Sequence, residues 1–154
     1  MKKFFLLLAA AVCLSATASA QDKGDWAIVP RVNIYTAWDT DTVFGIGAAG
    51  RYNILDQLRV EPALTFLLHD HCSIDVNCDI HYLFPVADRW TVYPLAGISF
   101  NDFGDWSAGI NLGAGFDYAV ADRWDITAGL KYMIETHKDW SNPLVITVGA
   151  SYRF

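Results

Sequence analysis

His69-Asp70-His71-Cys72, with Cys78 six positions further on, is the densest set of metal-ligating side chains in this sequence. Imidazole and thiolate donors in so short a span could hold zinc or copper. The two cysteines offer a second chemistry. Six apart in one loop, Cys72 and Cys78 can close a local disulfide in an oxidising compartment. The disulfide is the preferred reading, ahead of free thiols, and no metal is expected. Nucleophilic chemistry has thinner support. Ser73, Ser99, Ser107 and Ser141 share one end of the chain's segments with His69, His71 and His137. Hydrolysis needs nucleophile, base and orienting group within hydrogen-bond reach, and no spacing joins these residues in a recognisable motif. The expectation is a non-enzyme with no catalytic residue and no cofactor.

A larger set of charges sits in a regular pattern. Arg31, Arg51, Arg59, Glu61, Asp79, Asp117, Lys131, Glu135 and Arg153, with His81 beside them, alternate with apolar residues. Trp26, Ile28, Pro30, Val32 and Ile34 make one such apolar row. Ile80, Tyr82, Phe84 and Val86 make another, and Ile110, Leu112, Ala114, Phe116 and Tyr118 a third. Period-two alternation means strands. The two signs nearly balance, so these charges can pair with one another if buried, as buried charges must.

The elements that would position them follow from a repeat. Val86-Ala87-Asp88-Arg89-Trp90 recurs as Val120-Ala121-Asp122-Arg123-Trp124, and Ile54-Leu55-Asp56-Gln57-Leu58 holds the corresponding earlier place. The repeated unit is a β-hairpin with a tight polar turn. Extending it predicts eight strands near 25–36, 43–54, 58–69, 78–87, 90–101, 109–120, 124–136 and 144–154. Each has about the 9–11 residues of a tilted membrane strand. Very short connections at Asp56, Asp88 and Asp122 alternate with longer ones at 37–42, 70–77, 102–108 and 137–143.

The two ends of the chain set the compartment. Met1-Lys2-Lys3, the apolar run Phe4 to Val12 and the small residues Ala18-Ser19-Ala20 have the layout of a cleaved signal peptide over 1–20. Val12 before Cys13 does not suit a lipoprotein signal. No later stretch approaches the roughly 18 apolar residues of a membrane helix. The formal net charge of −6 offers no basic face to nucleic acid. At the other end Leu144, Ile146, Val148, Ala150, Tyr152 and Phe154 alternate with small or polar residues and Arg153.

This tail, with Tyr152 and terminal Phe154, resembles the C-terminal assembly signal of outer-membrane β-barrels. The strands Gly45-Ile46-Gly47-Ala48-Ala49-Gly50-Arg51-Tyr52-Asn53-Ile54 and Gly113-Ala114-Gly115-Phe116-Asp117-Tyr118 are similar to those of the small OmpA- and OmpX-type transmembrane domains. The resemblance implies an all-β fold over 21–154: an eight-stranded antiparallel up-and-down transmembrane β-barrel. It implies an outer membrane of the Gram-negative type, periplasmic N- and C-termini, outer-membrane lipids around the barrel and barrel-assembly machinery as a partner in biogenesis. Trp26, Tyr52, Phe84, Trp90, Tyr118, Trp124, Tyr152 and Phe154 would form an aromatic girdle at the periplasmic interface.

In that frame the charged set becomes a lumen network. Eight strands enclose a space that side chains just fill, so the expected role is a largely plugged structural or surface-interaction protein. The alternative is a narrow porin-like channel, suggested by the small inward residues Gly45, Gly47, Gly97, Gly113, Gly115, Gly129 and Gly149. Trp38-Asp39, Asp105-Trp106 and Asp139-Trp140 give the longer loops an acidic-aromatic character that could meet an extracellular ligand or protein.

Overall fold

The computed structural model describes residues 22–37, 40–70, 72–102, 105–136 and 142–154; the expected signal peptide lies outside them. Eight antiparallel strands form: β1 (Trp26–Ala37), β2 (Thr40–Leu55), β3 (Leu58–His69), β4 in two segments (Cys72–Tyr82 and Phe84–Ala87), β5 (Trp90–Asp102), β6 (Trp106–Ala121), β7 (Trp124–Glu135) and β8 (Leu144–Arg153). Each pairs with the next, and β8 pairs with β1, closing the sheet into a barrel. Closure leaves no unpaired strand edge.

Facing follows residue number without exception through the strand cores. Even-numbered residues point outward: Ile46 is 56% exposed and Val148 53%. Odd-numbered residues point in: Arg59 and Met133 are fully buried. The outward side is a continuous apolar surface and the inward side is largely polar, the reverse of a water-soluble sheet.

The three short turns explain how parity survives each reversal. Every turn has two residues, Asp56-Gln57, Asp88-Arg89 and Asp122-Arg123. None of them adopts positive φ, so the mirror-image turns of tight hairpins are not used. Each hairpin instead carries a register shift just before its turn, at Asn53/Leu55, Pro85/Ala87 and Ala119/Ala121.

Three prolines mark a second regularity. Pro30, Pro62 and Pro94 lie at 32-residue spacing in β1, β3 and β5, all on the outward face. Each pairs normally with the following strand, as Pro30↔Ala48, Pro62↔Cys78 and Pro94↔Ala114. On the other side the ladder is interrupted: between Ile28 and Arg31 towards β8, between Val60 and Ala63 towards β2, and between Val92 and Leu95 towards β4. Proline has no N–H to donate. The break in β4 at Leu83 therefore has its cause in Pro94 on the neighbouring strand.

The longer connections are shorter than the sequence predicts. The main correction is 70–77, where β4 already starts at Cys72. Ile74 and Val76 pair with Phe66 and Leu64. Asp75 and Asn77, which read as turn formers, instead face a polar lumen where they have partners.

Candidate functional site

The lumen holds the chemistry. Its central feature is Glu61, projected inward by β3. One carboxylate oxygen accepts from Arg31 on β1 at 2.7 Å and the other from the Arg51 Nε on β2. Arg51 then reaches across the barrel. Its guanidinium donates to Asp117 on β6 at 3.1 Å and to Thr127 on β7 at 3.0 Å. Arg59 on β3 donates to the second Asp117 oxygen at 2.8 Å. β2 and β6 stand opposite each other in an eight-stranded ring, so these bonds are chords across the lumen and not contacts between neighbours.

Further chords lie to either side. Lys131 on β7 meets Asp79 on β4 at 2.9 Å, and Asn111 donates to the other Asp79 oxygen at 2.8 Å. Tyr35 on β1 donates to Asp75 on β4 at 2.8 Å. Near the short turns Arg153 pairs with Asp125 at 3.2 Å. His81 stacks on Tyr93 with ring centroids 4.5 Å apart, and Arg59 lies over the same ring at 4.8 Å. Gly115 makes that stack possible, because a Cβ there would overlap the Tyr93 ring. Charge-assisted bonds of this kind compensate the desolvation of each ion. Among the described residues the network leaves a void of about 20 Å³ bordered by Arg31, Arg51, Glu61, Asp79 and Tyr93, room for about one or two waters.

All ten residues of the predicted lumen set thus point inward. Six of them, Arg31, Arg51, Arg59, Glu61, His81 and Asp117, join in one central body, while Asp79 with Lys131 and Arg153 with Asp125 form separate pairs. Glu135 sits towards the long-loop end, where it accepts from Asn101 and Ser107, each at 2.8 Å. Asp75, Tyr93, Asp125 and Thr127 belong to the lumen and were not anticipated. Their odd numbering within alternating segments was the signal available.

The chain matches the family model for the outer membrane protein beta-barrel domain over residues 4–154. It belongs to that family. No curated protein matches it in sequence. Among solved structures it is similar to the N-terminal beta-barrel domain of Pseudomonas aeruginosa OprF, with TM-score 0.70 and 17% identity over 87% of this chain and 100% of that one. It is also similar to OprG of Pseudomonas aeruginosa, with TM-score 0.64 and 13% identity over 89% and 99% of the two chains. A third is Ail, the attachment invasion locus protein of Yersinia pestis, with TM-score 0.58 and 17% identity over 86% and 99%. At these identities the likeness is one of fold.

On this outer membrane protein beta-barrel domain the eight predicted girdle aromatics all fall at the short-turn end and on the outward parity. They pack in pairs across neighbouring strands: Trp26 with Tyr52 at 4.6 Å, Trp90 with Tyr118 at 4.7 Å and Trp124 with Tyr152 at 4.9 Å between centroids. Phe84 packs on Tyr82, and Phe154 edge-on against Tyr152.

The expected disulfide is corrected. Cys78 is a free thiol. Cys72 and Cys78 lie six residues apart along the single strand segment Cys72–Tyr82, which separates their Cα atoms by about 20 Å at the usual strand rise. A disulfide needs less than about 7 Å. The same distance removes Cys78 from the candidate metal ligands, while His69 and Cys72 are cross-strand partners. His71, His137 and Ser141 lie outside the described residues. Ser73 donates to Asp102 at 2.7 Å.

Proposed function

We propose that this barrel is a structural and surface-interaction protein of the outer membrane, with its lumen plugged by its own side chains and no catalytic role. The observation that carries this reading is the set of chords across the lumen: Arg51 to Asp117 and Thr127, Arg59 to Asp117, and Lys131 to Asp79. A solvated ion moving along the axis would have to break these buried charge-assisted bonds and leave their charges uncompensated. Outer-membrane lipids are the natural contact of the even-numbered face. The connections around 37–42, 102–108 and 137–143 would then be extracellular and carry the contact with a ligand or protein, and the termini periplasmic. The test is conductance of the refolded protein in a planar bilayer. Silent membranes with verified insertion are the expected result. Steady single-channel steps would replace this reading with the narrow channel.

A further inference from the structure

The long-loop half of the lumen contains a wall of oxygen atoms that the central network does not use. Asp75 on β4 stands directly opposite Asn101 on β5, and Ser99 on β5 opposite Gly109 on β6, which in turn faces Glu135 on β7. The donors in this region are already committed. Tyr35 and Asn77 both donate to one Asp75 oxygen, at 2.8 and 3.0 Å. The Asn101 amide nitrogen and the Ser107 hydroxyl donate to the two Glu135 oxygens. A carboxylate accepts only from the NH₂ side of an amide, so the bond to Glu135 fixes which way Asn101 turns and leaves its carbonyl oxygen directed elsewhere.

Among the described residues three oxygens of this wall have no hydrogen-bond partner: Asp75 Oδ1, Ser99 Oγ and Asn101 Oδ1, all on fully buried residues. Glu61, Asp79, Asp117 and Asp125 each face a cationic side chain. Among the described residues Asp75 and Glu135 form no salt bridge, although Lys131 and Arg31 lie near enough to Asp75 to act on it electrostatically. Gly109 adds a geometric mark. A Cβ at that position would stand 2.8 Å from Ser99 Oγ and 3.0 Å from Glu135 Oε1, so its absence keeps the space between those two oxygens open.

We propose that Asp75, Ser99, Asn101 and Glu135 hold a calcium-class divalent cation in the long-loop half of the lumen. Two carboxylates, one amide carbonyl and one hydroxyl form a set of hard oxygen donors with two formal negative charges. Calcium takes six to eight such oxygens in flexible geometry and accepts water for the remainder. Magnesium demands a tighter octahedron. Zinc and copper favour the nitrogen and sulfur donors that this wall lacks. The cation would neutralise two carboxylates that form no salt bridge among the described residues and satisfy the three orphaned oxygens at once. It would also tie β4, β5 and β7 together in the long-loop half of the barrel.

Isothermal calorimetry of the refolded protein in zwitterionic phosphocholine micelles, titrated with calcium chloride, tests this. One saturable site is expected. Asp75→Asn and Gly109→Ala should each weaken it at least about tenfold, since ligand charge and site shape set calcium affinity. Asp56→Asn, at the opposite end, should leave it unchanged. Absence of saturable heat would overturn the proposal and assign the oxygens to bound water beside a protonated Asp75. Equal affinity in Asp75→Asn would overturn it in favour of surface carboxylates. Should Asp75→Asn not refold, Ser99→Ala decides, because it removes only an unpartnered oxygen: weakened calcium binding supports the site and unchanged binding refutes it.

Discussion

Glu61 is the side chain on which the central network depends most. It neutralises Arg31 and Arg51 together, and it is 4% exposed. Arg51 keeps Asp117 if Glu61 is lost, but Arg31 keeps only a 3.4 Å contact with Asn77. Breaking a buried pair from one side leaves an uncompensated charge, at a typical cost of about 3–5 kcal/mol. Glu61→Ala should therefore lower folding free energy in lipid vesicles by about that amount, measured by urea titration. Glu61→Gln should cost less, because its amide oxygen still accepts one guanidinium. Equal, near-zero effects of both would mean that the network fills space and contributes little to stability. The cluster of Tyr35, Val43, Leu67, Met133 and Val145 shows that the lumen is not polar throughout. Tyr35 joins this apolar cluster to the oxygen wall through its hydrogen bond to Asp75.

At the scale of strands, β8 joins two tasks. It completes the ring by pairing with β1, and the Phe154 N–H donates to the Trp26 carbonyl at 3.0 Å. Phe154 itself is 75% exposed, so its ring contributes little to the packed body. An exposed terminal aromatic that hardly packs fits a residue read by assembly machinery better than one needed for stability. Deleting Phe154 should lower the folded, heat-modifiable fraction in cells while leaving spontaneous folding into vesicles nearly unchanged. Equal losses in both settings would make it a stability residue; no loss in either would remove the assembly role. The strands themselves were legible in the sequence because alternation, turn repeat and tail all pointed to the same facing. The errors share one origin. Asp75 and Asn77 fall in the expected connection 70–77, and Asp125 stands beside the expected turn at Asp122. Tyr93 is an inward aromatic in a chain whose aromatics mostly face outward. Local residue preference and lumen polarity give opposite readings of such residues, and only the partner strand shows which applies. The cysteine pairing failed for the same reason, since it assumed a loop where β4 already runs.

For the whole molecule, Pro30, Pro62 and Pro94 interrupt three of the eight seams, and always the seam to the preceding strand. Inside a bilayer the facing carbonyls have no water to turn to, so the folded barrel is weakened by them. Pro62→Val should return the missing donor and gain about 0.5–1.5 kcal/mol, offset in part by the greater freedom of the unfolded chain. The urea midpoint in vesicles should rise. An unchanged or lower midpoint would show that the seam at Pro62 is already satisfied by another route. The compensating value of these prolines appears before the barrel exists. A chain whose strands are apolar on one whole face is hazardous while unfolded in water, where like segments can stack edge to edge into insoluble fibrils. A proline near the middle of every second strand in the first part of the chain breaks each such segment into pieces too short to template a neighbour. The same Pro62→Val variant should then scatter more light, and sooner, when diluted from urea without lipid. The three weakened seams act as gatekeepers for the chain's passage through water, a stage that leaves no other trace in the finished barrel.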